Sequence, residues 1–241
     1  MPKMKGEIRM VVLDARIQSA GYEKGESKIH NIEFQVEAGQ LVGLIGPNGA
    51  GKSTTIKSVL GIMRDVAGSV RIGDGNGTYA YVPEQPVLYD SMTLWEHLEL
   101  AASAYDLPQE QFVEQADYLL TEFQMTEVKH HFPTSFSKGM QQKLMLIIAF
   151  MLKPSLYIVD EPFIGLDPRA TRKFLRMLEE ERKRGAGVLM STHVLDTAER
   201  VCDSFILLHQ GSVVARGTFD EVRQISGLPD GTLFDCFEVL T

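Results

Sequence analysis

The chain has 241 residues, of which 44% are hydrophobic, and it carries a formal net charge of −8. This composition suits one large globular domain, or one and a half small ones, with a full hydrophobic core. The acidic balance argues against non-specific binding to nucleic acid or to an anionic membrane surface, because both attract basic proteins.

Strand patterns dominate the N-terminal third. Apolar and polar residues alternate at 32–36, as they do in a half-buried strand. The apolar run at 41–45 predicts a buried strand. The glycine-rich stretch at 73–77 predicts a flexible turn before a further strand at 79–82.

The strand at 41–45 runs directly into the sequence Gly-Pro-Asn-Gly-Ala-Gly-Lys-Ser, which fits the pattern G-x-x-x-x-G-K-[ST]. Residues 54–60 suit a helix, so a glycine-rich turn joins a strand to a helix N-terminus. Backbone N–H groups in such a turn, together with the helix dipole, favour phosphate. Lys52 is expected to reach the β- and γ-phosphates, and the hydroxyl of Ser53 to hold Mg²⁺. The predicted phosphate-binding residues are Gly46, Pro47, Asn48, Gly49, Ala50, Gly51, Lys52, Ser53 and Thr54.

Helical patterns replace strand patterns after residue 88. Thr93 and Glu96 form a capping-box signature, and helical periodicity follows them. Two further helices are expected at 109–123 and 137–152. We therefore predict that residues 88–153 form a helical subdomain inserted into an α/β core.

Strands and helices alternate again after residue 154. The predicted elements are a strand at 156–160, a helix between Asp167 and Gly185, a strand at 188–191, a hairpin across 205–215 and a short helix opened by Thr218 and Glu221. Residues 225–241 are expected to form only a C-terminal tail.

Two acidic residues end the strand at 156–160. Because parallel strands gather their loops at one edge of a sheet, these acids should face the phosphate turn. Asp160 is a candidate Mg²⁺ ligand opposite Ser53. Glu161 is placed to polarise a water that attacks the γ-phosphorus. The alternative is a solvated pair of loop acids.

Two more side chains are candidates for the same site. His193 follows the strand at 188–191 and could donate a hydrogen bond to the γ-phosphate or the attacking water, although a histidine there is more often structural. Tyr22 lies upstream and could stack on a nucleobase, but a core or surface tyrosine fits nearly as well. The adjacent His130 and His131 have no ligand-type neighbours and are interpreted as surface residues. His97, like His30 and His209, has no motif beside it that would bring it to this site.

Other features bear on where the chain works. The first 13 residues lack the long apolar core of a secretory signal. The longest apolar stretch, at 144–152, is far shorter than the roughly 20 residues that a bilayer-spanning helix needs. Cys202 and Cys236 lack metal-ligand spacing, which favours free thiols in a reducing compartment. We therefore expect a soluble chain that reaches a membrane only through a partner.

Taken together, these residues resemble the nucleotide-binding subunit of an ABC transporter, over about residues 8–225. The turn at 46–53 matches the Walker A motif, and the strand at 156–160 matches Walker B. The stretch Phe-Ser-Lys-Gly-Met at 136–140 sits where the family has its signature LSGGQ, and 165–167 looks like the D-loop.

The resemblance also assigns roles to single residues. Glu161 falls on the catalytic glutamate, His193 on the switch histidine and Tyr22 on the aromatic residue that stacks on adenine. Ser137 and Gly139 of the signature are expected to bind the ATP of a second subunit.

Two departures from the family pattern stand out. Lys138 replaces the first glycine of the signature, and Met140 replaces its glutamine. At the Q-loop position Glu84 stands where glutamine is expected, and a carboxylate there can ligate Mg²⁺. These variants look most like the ATPases of bacterial Ecs-type transporters, which are presumed exporters.

The resemblance implies a P-loop NTPase (RecA-like) core of residues 1–87 and 154–224, with an N-terminal antiparallel β part and the inserted helical subdomain. It implies ATP and Mg²⁺ as ligands, and a head-to-tail pair of ATPase subunits, with a homodimer expected. It further implies an integral membrane permease subunit as partner, a cytoplasmic location on the inner face of the membrane, and no nucleic-acid partner.

Two rival functions fit less well. A soluble ABC-type ATPase acting on ribosomes or DNA would carry two cassettes or a long coiled coil between its Walker motifs, and the chain has neither. A P-loop kinase would need an acceptor pocket and a lid, but not the stretch at 136–140.

Overall fold

The computed structural model describes residues 10–23, 25–73 and 77–241. Its strands are β1 (Val11–Glu23), β2 (Glu26–Glu37), β3 (Leu41–Ile45), β4 (Asp65–Ile72), β5 (Tyr79–Val82), β6 (Leu156–Asp160), β7 (Gly187–Thr192), β8 (Ser204–His209) and β9 (Ser212–Gly217). Its α-helices are α1 (Lys52–Val59), α2 (Leu94–Ala104), α3 (Gln109–Phe123), α4 (Lys138–Met151), α5 (Pro168–Arg184), α6 (Leu195–Val201), α7 (Phe219–Ser226) and α8 (Leu233–Leu240). Most of the turn predicted at 73–77, and most of the segment tested for a secretory signal, lie outside the described residues.

The strands form two sheets. An antiparallel sheet has the order β2–β1–β4, and a six-stranded sheet has the order β5–β6–β7–β3–β8–β9. In the larger sheet all neighbours are parallel except the β8–β9 hairpin. Ile45 pairs with Thr192, and Asp160 pairs with Ser191, so β3, β6 and β7 end side by side. The predicted α/β core with an N-terminal antiparallel part is confirmed.

The three helices of residues 88–153 share one hydrophobic core with the larger sheet. Phe150 of α4 lies at its centre, with ring centroids 6.4 Å from Phe123, 5.6 Å from Tyr157 and 6.1 Å from Phe174. These rings join α3, α4, β6 and α5. Since full burial of one such side chain contributes about 1.5–3 kcal/mol, the aromatic group fixes the helical part against the sheet.

Helix ends follow the local signals in the sequence. The side chain of Thr93 accepts from the backbone N–H of Glu96, and the carboxylate of Glu96 accepts from that of Thr93, which completes the predicted capping box. Asp167 caps α5 by accepting from two backbone N–H groups. The helix ends at Gly185, whose φ of 106° favours glycine.

The C-terminal segment differs from the prediction of a simple tail. Thr232 and Asp235 form a capping box that opens α8. Leu233 and Cys236 of that helix are fully buried in the same cluster as Ile45. The signal is weak in the sequence because the helix has only eight residues and the box uses aspartate rather than glutamate.

Strand β4 is a second element for which no prediction is made. Its residues show no alternation of buried and exposed side chains, and none is fully buried. Its place is set by pairing with β1, which is a tertiary interaction. No described helix is long and apolar enough to cross a membrane.

Candidate functional site

The glycine-rich turn between β3 and α1 is closely packed. A Cβ on Gly46 would lie 2.5 Å from the carbonyl oxygen of Leu208, and one on Gly51 would lie 2.6 Å from Cγ2 of Ile29. Gly51 also has a φ of 109°, a value that other residues rarely adopt. The glycines therefore let the backbone pass close to β8 and β2 and begin α1 directly after the turn.

Lys52 is the first residue of α1, and only 6% of it is exposed. Its Nζ donates to the carbonyl oxygens of Gly46, at 2.7 Å, and Pro47, at 3.3 Å. The same Nζ lies 3.4 Å from Oε1 of Glu161. The ammonium group is thus held between the phosphate turn and the end of β6.

Glu161 lies directly after β6 with a φ of 47°, which turns its side chain out of the strand direction. Its carboxylate is buried, and Nδ1 of His193 lies 2.9 Å from its Oε1. The backbone N–H of His193 lies within 3.4 Å of Oε2. The structure therefore brings together Lys52, Glu161 and His193, as the sequence predicts.

Asp160 is almost fully buried at the end of β6, where Ser191 Oγ donates to its Oδ1. Burial raises the pKa of Asp160, and the neighbouring carboxylates of Glu161 and Glu84 raise it further, while the hydrogen bond from Ser191 acts in the opposite direction. The negative charges of this region are thus close enough to repel one another.

The pKa of Tyr81, in β5, is affected by the same carboxylates. Burial, followed by the charges of Asp160 and Glu84, raises the pKa of Tyr81 to about 12. Glu84 is exposed and follows β5, whose carboxyl end lies beside that of β6. The predicted Q-loop acid therefore belongs to the same electrostatic site as Asp160.

A cavity of about 330 Å³ lies over the turn, and its lining residues are Tyr22, Lys28, Pro47, Asn48, Gly49, Gly51, Lys52, Ser53, Thr54, Glu84 and Glu161. The sequence predicts every one of these as a site residue except Lys28. Gly46 and His193 line an adjoining apolar cavity that also contains Phe234 and Phe237, and Ala50 is buried at 3% exposure.

Tyr22 forms one side of this 330 Å³ cavity. Its side chain is 54% exposed, Nζ of Lys57 lies 5.2 Å from its ring centroid, and its hydroxyl lies 3.5 Å from Oγ1 of Thr54. An exposed ring beside a phosphate turn can stack on a base. Lys28 adds a positive charge to the cavity, and the sequence offers no signal for it because its position depends on the register of β2 against β1.

Ser137 and Gly139 lie elsewhere on the described surface and do not line this cavity. Ser137 is exposed and caps α4, with its Oγ accepting from the backbone N–H of Met140 at 3.3 Å. A Cβ on Gly139 would lie 2.5 Å from the carbonyl oxygen of Gly165. The signature-like stretch is therefore packed against the loop that follows Glu161, and its helix N-terminus stays accessible.

The residues at the site could hold a divalent cation only if phosphate or water supplied further oxygen ligands. In the described parts of the chain, no three His, Cys, Asp or Glu side chains converge as a metal site. Mg²⁺ prefers oxygen ligands and keeps several from phosphate and water. Ser53, Asp160 and Glu84 offer such oxygens. The pKa of Asp160 is raised first by burial and then by the charges of Glu161 and Glu84, and a bound cation would oppose both effects.

A larger groove, of about 750 Å³, lies between the antiparallel sheet and β8–β9. Its buried carboxylate, Asp14, is paired with Arg16 at 3.3 Å and with Arg71 at 3.0 Å. The groove has no glycine-rich turn among its lining residues. The helix N-terminus that it includes, that of α7, is already capped by Thr218 and Glu221, so its chemistry does not match that of the phosphate turn.

Comparison with known proteins agrees with this geometry. The sequence model described as "ABC transporter" matches residues 29–164. The chain is 48% identical to the uncharacterized ABC transporter ATP-binding protein YthP of Bacillus subtilis, over 94% of this chain and 95% of that protein. It is 47% identical to the ABC-type transporter ATP-binding protein EcsA of the same organism, over 96% and 97% of the two chains.

Solved structures give the same result. A structure described as the ATP binding subunit of an ABC transporter superposes with a TM-score of 0.90 and 44% identity, covering 95% of this chain and 99% of that one. CbiO1 from Clostridium perfringens, with a TM-score of 0.73 and 22% identity over 89% and 91% of the chains, shares the fold. The chain belongs to the ABC transporter family, in which it is an ATP-binding subunit and an ATPase.

Proposed function

We propose that this chain hydrolyses ATP with Mg²⁺ as one half of a head-to-tail pair, and that the pair drives transport by a separate membrane subunit. The observation that carries the proposal is the position of Ser137. Its accessible helix N-terminus can bind an anion, yet it lies outside the cavity over the phosphate turn of its own chain. A second copy would bring such a segment to the ATP of the first.

ATP binding is assigned to the residues around the 330 Å³ cavity. Tyr22 would stack on the adenine, while the backbone N–H groups of residues 46–54 and the ammonium of Lys52 would bind the phosphates. Mg²⁺, when bound, supplies charge neutralisation on the phosphate oxygens. Ser53, Asp160 and Glu84 are the residues that would hold it.

Hydrolysis is assigned to the group of Lys52, Glu161 and His193. Nζ of Lys52 lies only 3.4 Å from Oε1 of Glu161. A phosphate in the cavity would therefore compete with Glu161 for this ammonium group. The released carboxylate could then accept a proton from the attacking water. His193, held 2.9 Å from Glu161, would fix the orientation of that carboxylate.

Closure by a second copy would raise the rate in two ways. Ser137 and the N-terminus of α4 would add hydrogen-bond donors near the γ-phosphate, and the covered site would exclude water that screens charge. In this proposal the dimer contains two identical chains, each of which binds one ATP. ATP binding favours the closed pair, and release of phosphate reopens it.

The transport partner is proposed from the family. CbiO1 is described as part of the ABC transporter complex CbiONQ, and the 30% identical LptB of Escherichia coli is described as the ATP-binding protein of a lipopolysaccharide export system. By analogy we assign this chain to the inner face of the cell membrane, bound to a permease, with export as the direction. The net charge of −8 does not favour a nucleic-acid partner.

The test is the variant Glu161→Gln. It should bind ATP, form a stable dimer with it, and lose hydrolysis by about 10²-fold or more, as expected when a general base is removed. Size-exclusion chromatography with light scattering measures the dimer, and phosphate release measures the rate. Glu180→Gln, on the exposed surface of α5, is the matched control and should behave as wild type. Full hydrolysis by Glu161→Gln, or by a wild-type monomer that never pairs, would refute the proposal.

A further inference from the structure

His97 of α2 is a buried polar residue that plays no part in the site described so far. Only 5% of it is exposed. Its Nε2 lies 2.9 Å from the backbone nitrogen of Tyr89, and its Nδ1 lies 2.8 Å from the carbonyl oxygen of Thr93. Since a backbone N–H can only donate, Nε2 must accept, and the ring proton lies on Nδ1, which donates to Thr93. His97 is therefore neutral and held in one tautomer.

The N–H group that donates to His97 is that of Tyr89. Tyr89 belongs to the segment that follows β5, and this segment also includes Glu84. This segment, residues 83–92, contains no helix or strand. Leu88 packs against the main hydrophobic core, whereas the side chains of Val87 and Tyr89 are 77% and 61% exposed. The hydrogen bond to His97 ties the segment to the buried face of α2.

Helix α2 is also tied to the other end of β5. The hydroxyl of Tyr105, the C-cap residue of α2, donates to the carbonyl oxygen of Tyr79 at 2.5 Å. With His97 bonded to Tyr89, the helix holds β5 and the following segment at two points. The position of Glu84 between these points is therefore linked to the position of α2.

We propose that His97 is a positioning residue for ATP hydrolysis, which holds residues 84–89 so that Glu84 faces the nucleotide cavity. The inference rests on the proposed role of Glu84 at the Mg²⁺ end of that cavity. His97 touches neither ATP nor the reacting atoms. It acts through the Tyr89 N–H and the five-residue path back to Glu84.

Two substitutions of His97 distinguish the effect of losing its hydrogen-bond acceptor from the effect of changing the shape of its side chain. His97→Gln keeps an acceptor that can reach the Tyr89 N–H, whereas His97→Phe keeps a buried ring without one. Both variants lose the Nδ1 hydrogen bond to Thr93, so they differ only in the acceptor offered to Tyr89. We expect His97→Phe to lower kcat about fivefold, as for the loss of the Tyr89 hydrogen bond, with KM for ATP within about twofold of wild type. We expect His97→Gln to retain at least about half of kcat.

A double-mutant cycle with Glu84→Ala identifies the route of the effect. If His97 acts through Glu84, His97→Phe has no further effect on kcat once Glu84 is removed. Independent, multiplying effects would overturn the proposal, and so would equal kcat values for the Gln and Phe variants. If the Phe variant does not fold, His97→Leu gives the same comparison. The wild-type rate and the Glu161→Gln dimer test the proposed function separately, and neither depends on His97.

Discussion

Nζ of Lys52 lies 3.4 Å from Oε1 of Glu161, and both side chains are more than nine-tenths buried. The pair joins the first residue of α1 to the residue that follows β6, so it connects the motif that we propose binds phosphate to the residue that we propose activates water. A buried charge that loses its partner is costly, because water cannot replace it. Lys52 and Glu161 are therefore expected to contribute both to the stability of the fold and to the proposed hydrolysis.

Lys52→Met should lower the free energy of unfolding by about 1–3 kcal/mol in the absence of nucleotide, because it leaves Glu161 buried without its cation. Adding Glu161→Gln should restore part of that loss. Urea unfolding of the two variants measures the difference. Lys57→Met, one and a half turns further along the same helix, is the control and leaves the buried pair intact. Equal stability of the single and double variants would contradict the coupling.

Asp160→Asn should make the ligand-free chain more stable at neutral pH, by about 1 kcal/mol, while abolishing the Mg²⁺-dependent activity. Burial raises the pKa of Asp160, so its ionised form opposes folding. The gain should be present at neutral pH and disappear as the pH falls below the ordinary value of 3.8, where the carboxyl is protonated in both states. Unfolding curves at several pH values measure it, and a gain that persists in acid would contradict this account.

Tyr22→Ala should weaken ATP binding about tenfold, because one base–aromatic stack is lost. Tyr22→Phe keeps the ring and should stay within about twofold of wild type, since the 3.5 Å contact of the hydroxyl with Thr54 is long. Calorimetric titration measures both. Inorganic triphosphate should bind all three proteins equally. Tyr118→Ala, on the exposed face of α3, controls for the loss of a surface ring.

Glu122→Gln should destabilise the contact between α3 and α5 at neutral pH. The hydrogen bond from Lys173 lowers the pKa of Glu122, and the charges of Lys173 and Arg176 lower it further. A lowered pKa means that the ionised carboxylate stabilises the fold above the ordinary value of 4.5 and that this stability is lost as the pH falls through the folded-state pKa. The difference between wild type and variant should therefore shrink below pH 4.5 in unfolding experiments.

The control for this prediction uses the same arginine. Glu180 lies 3.6 Å from Arg176, but both side chains are more than half exposed, so Glu180→Gln should have little effect at any pH. A difference between wild type and Glu122→Gln that stays constant as the pH falls from neutral through the folded-state pKa of Glu122 would show that the ion pair does not contribute.

Local signals in the sequence predict much of the fold. Helix α3 has the predicted bounds of 109–123, and α5 is bounded by its Asp167 cap and Gly185. The phosphate turn and the end of β6 are predicted because glycine spacing and an acid after an apolar strand are both local features. The same reasoning places His193 at the carboxyl edge of β7, where the structure has it.

Features that depend on distant contacts are not predictable in this way. Lys28 reaches the nucleotide cavity only through the register of β2. His97 accepts a hydrogen bond from the backbone of Tyr89, in an irregular segment that folds back on α2. Strand β4 is fixed by β1, and α8 by the cluster around Cys236. In each case the deciding interaction joins residues that are separated in the sequence.

The position of α8 has a consequence for biosynthesis. Ile45, at the base of the phosphate turn, shares its buried cluster with Leu233 and Cys236, which are translated long after it. A nascent chain that has emerged only as far as the β8–β9 hairpin leaves this apolar surface open to water, and such surfaces promote aggregation or chaperone binding. The base of the phosphate turn is therefore fully packed only after α8, which lies far downstream in the sequence, has left the translation machinery.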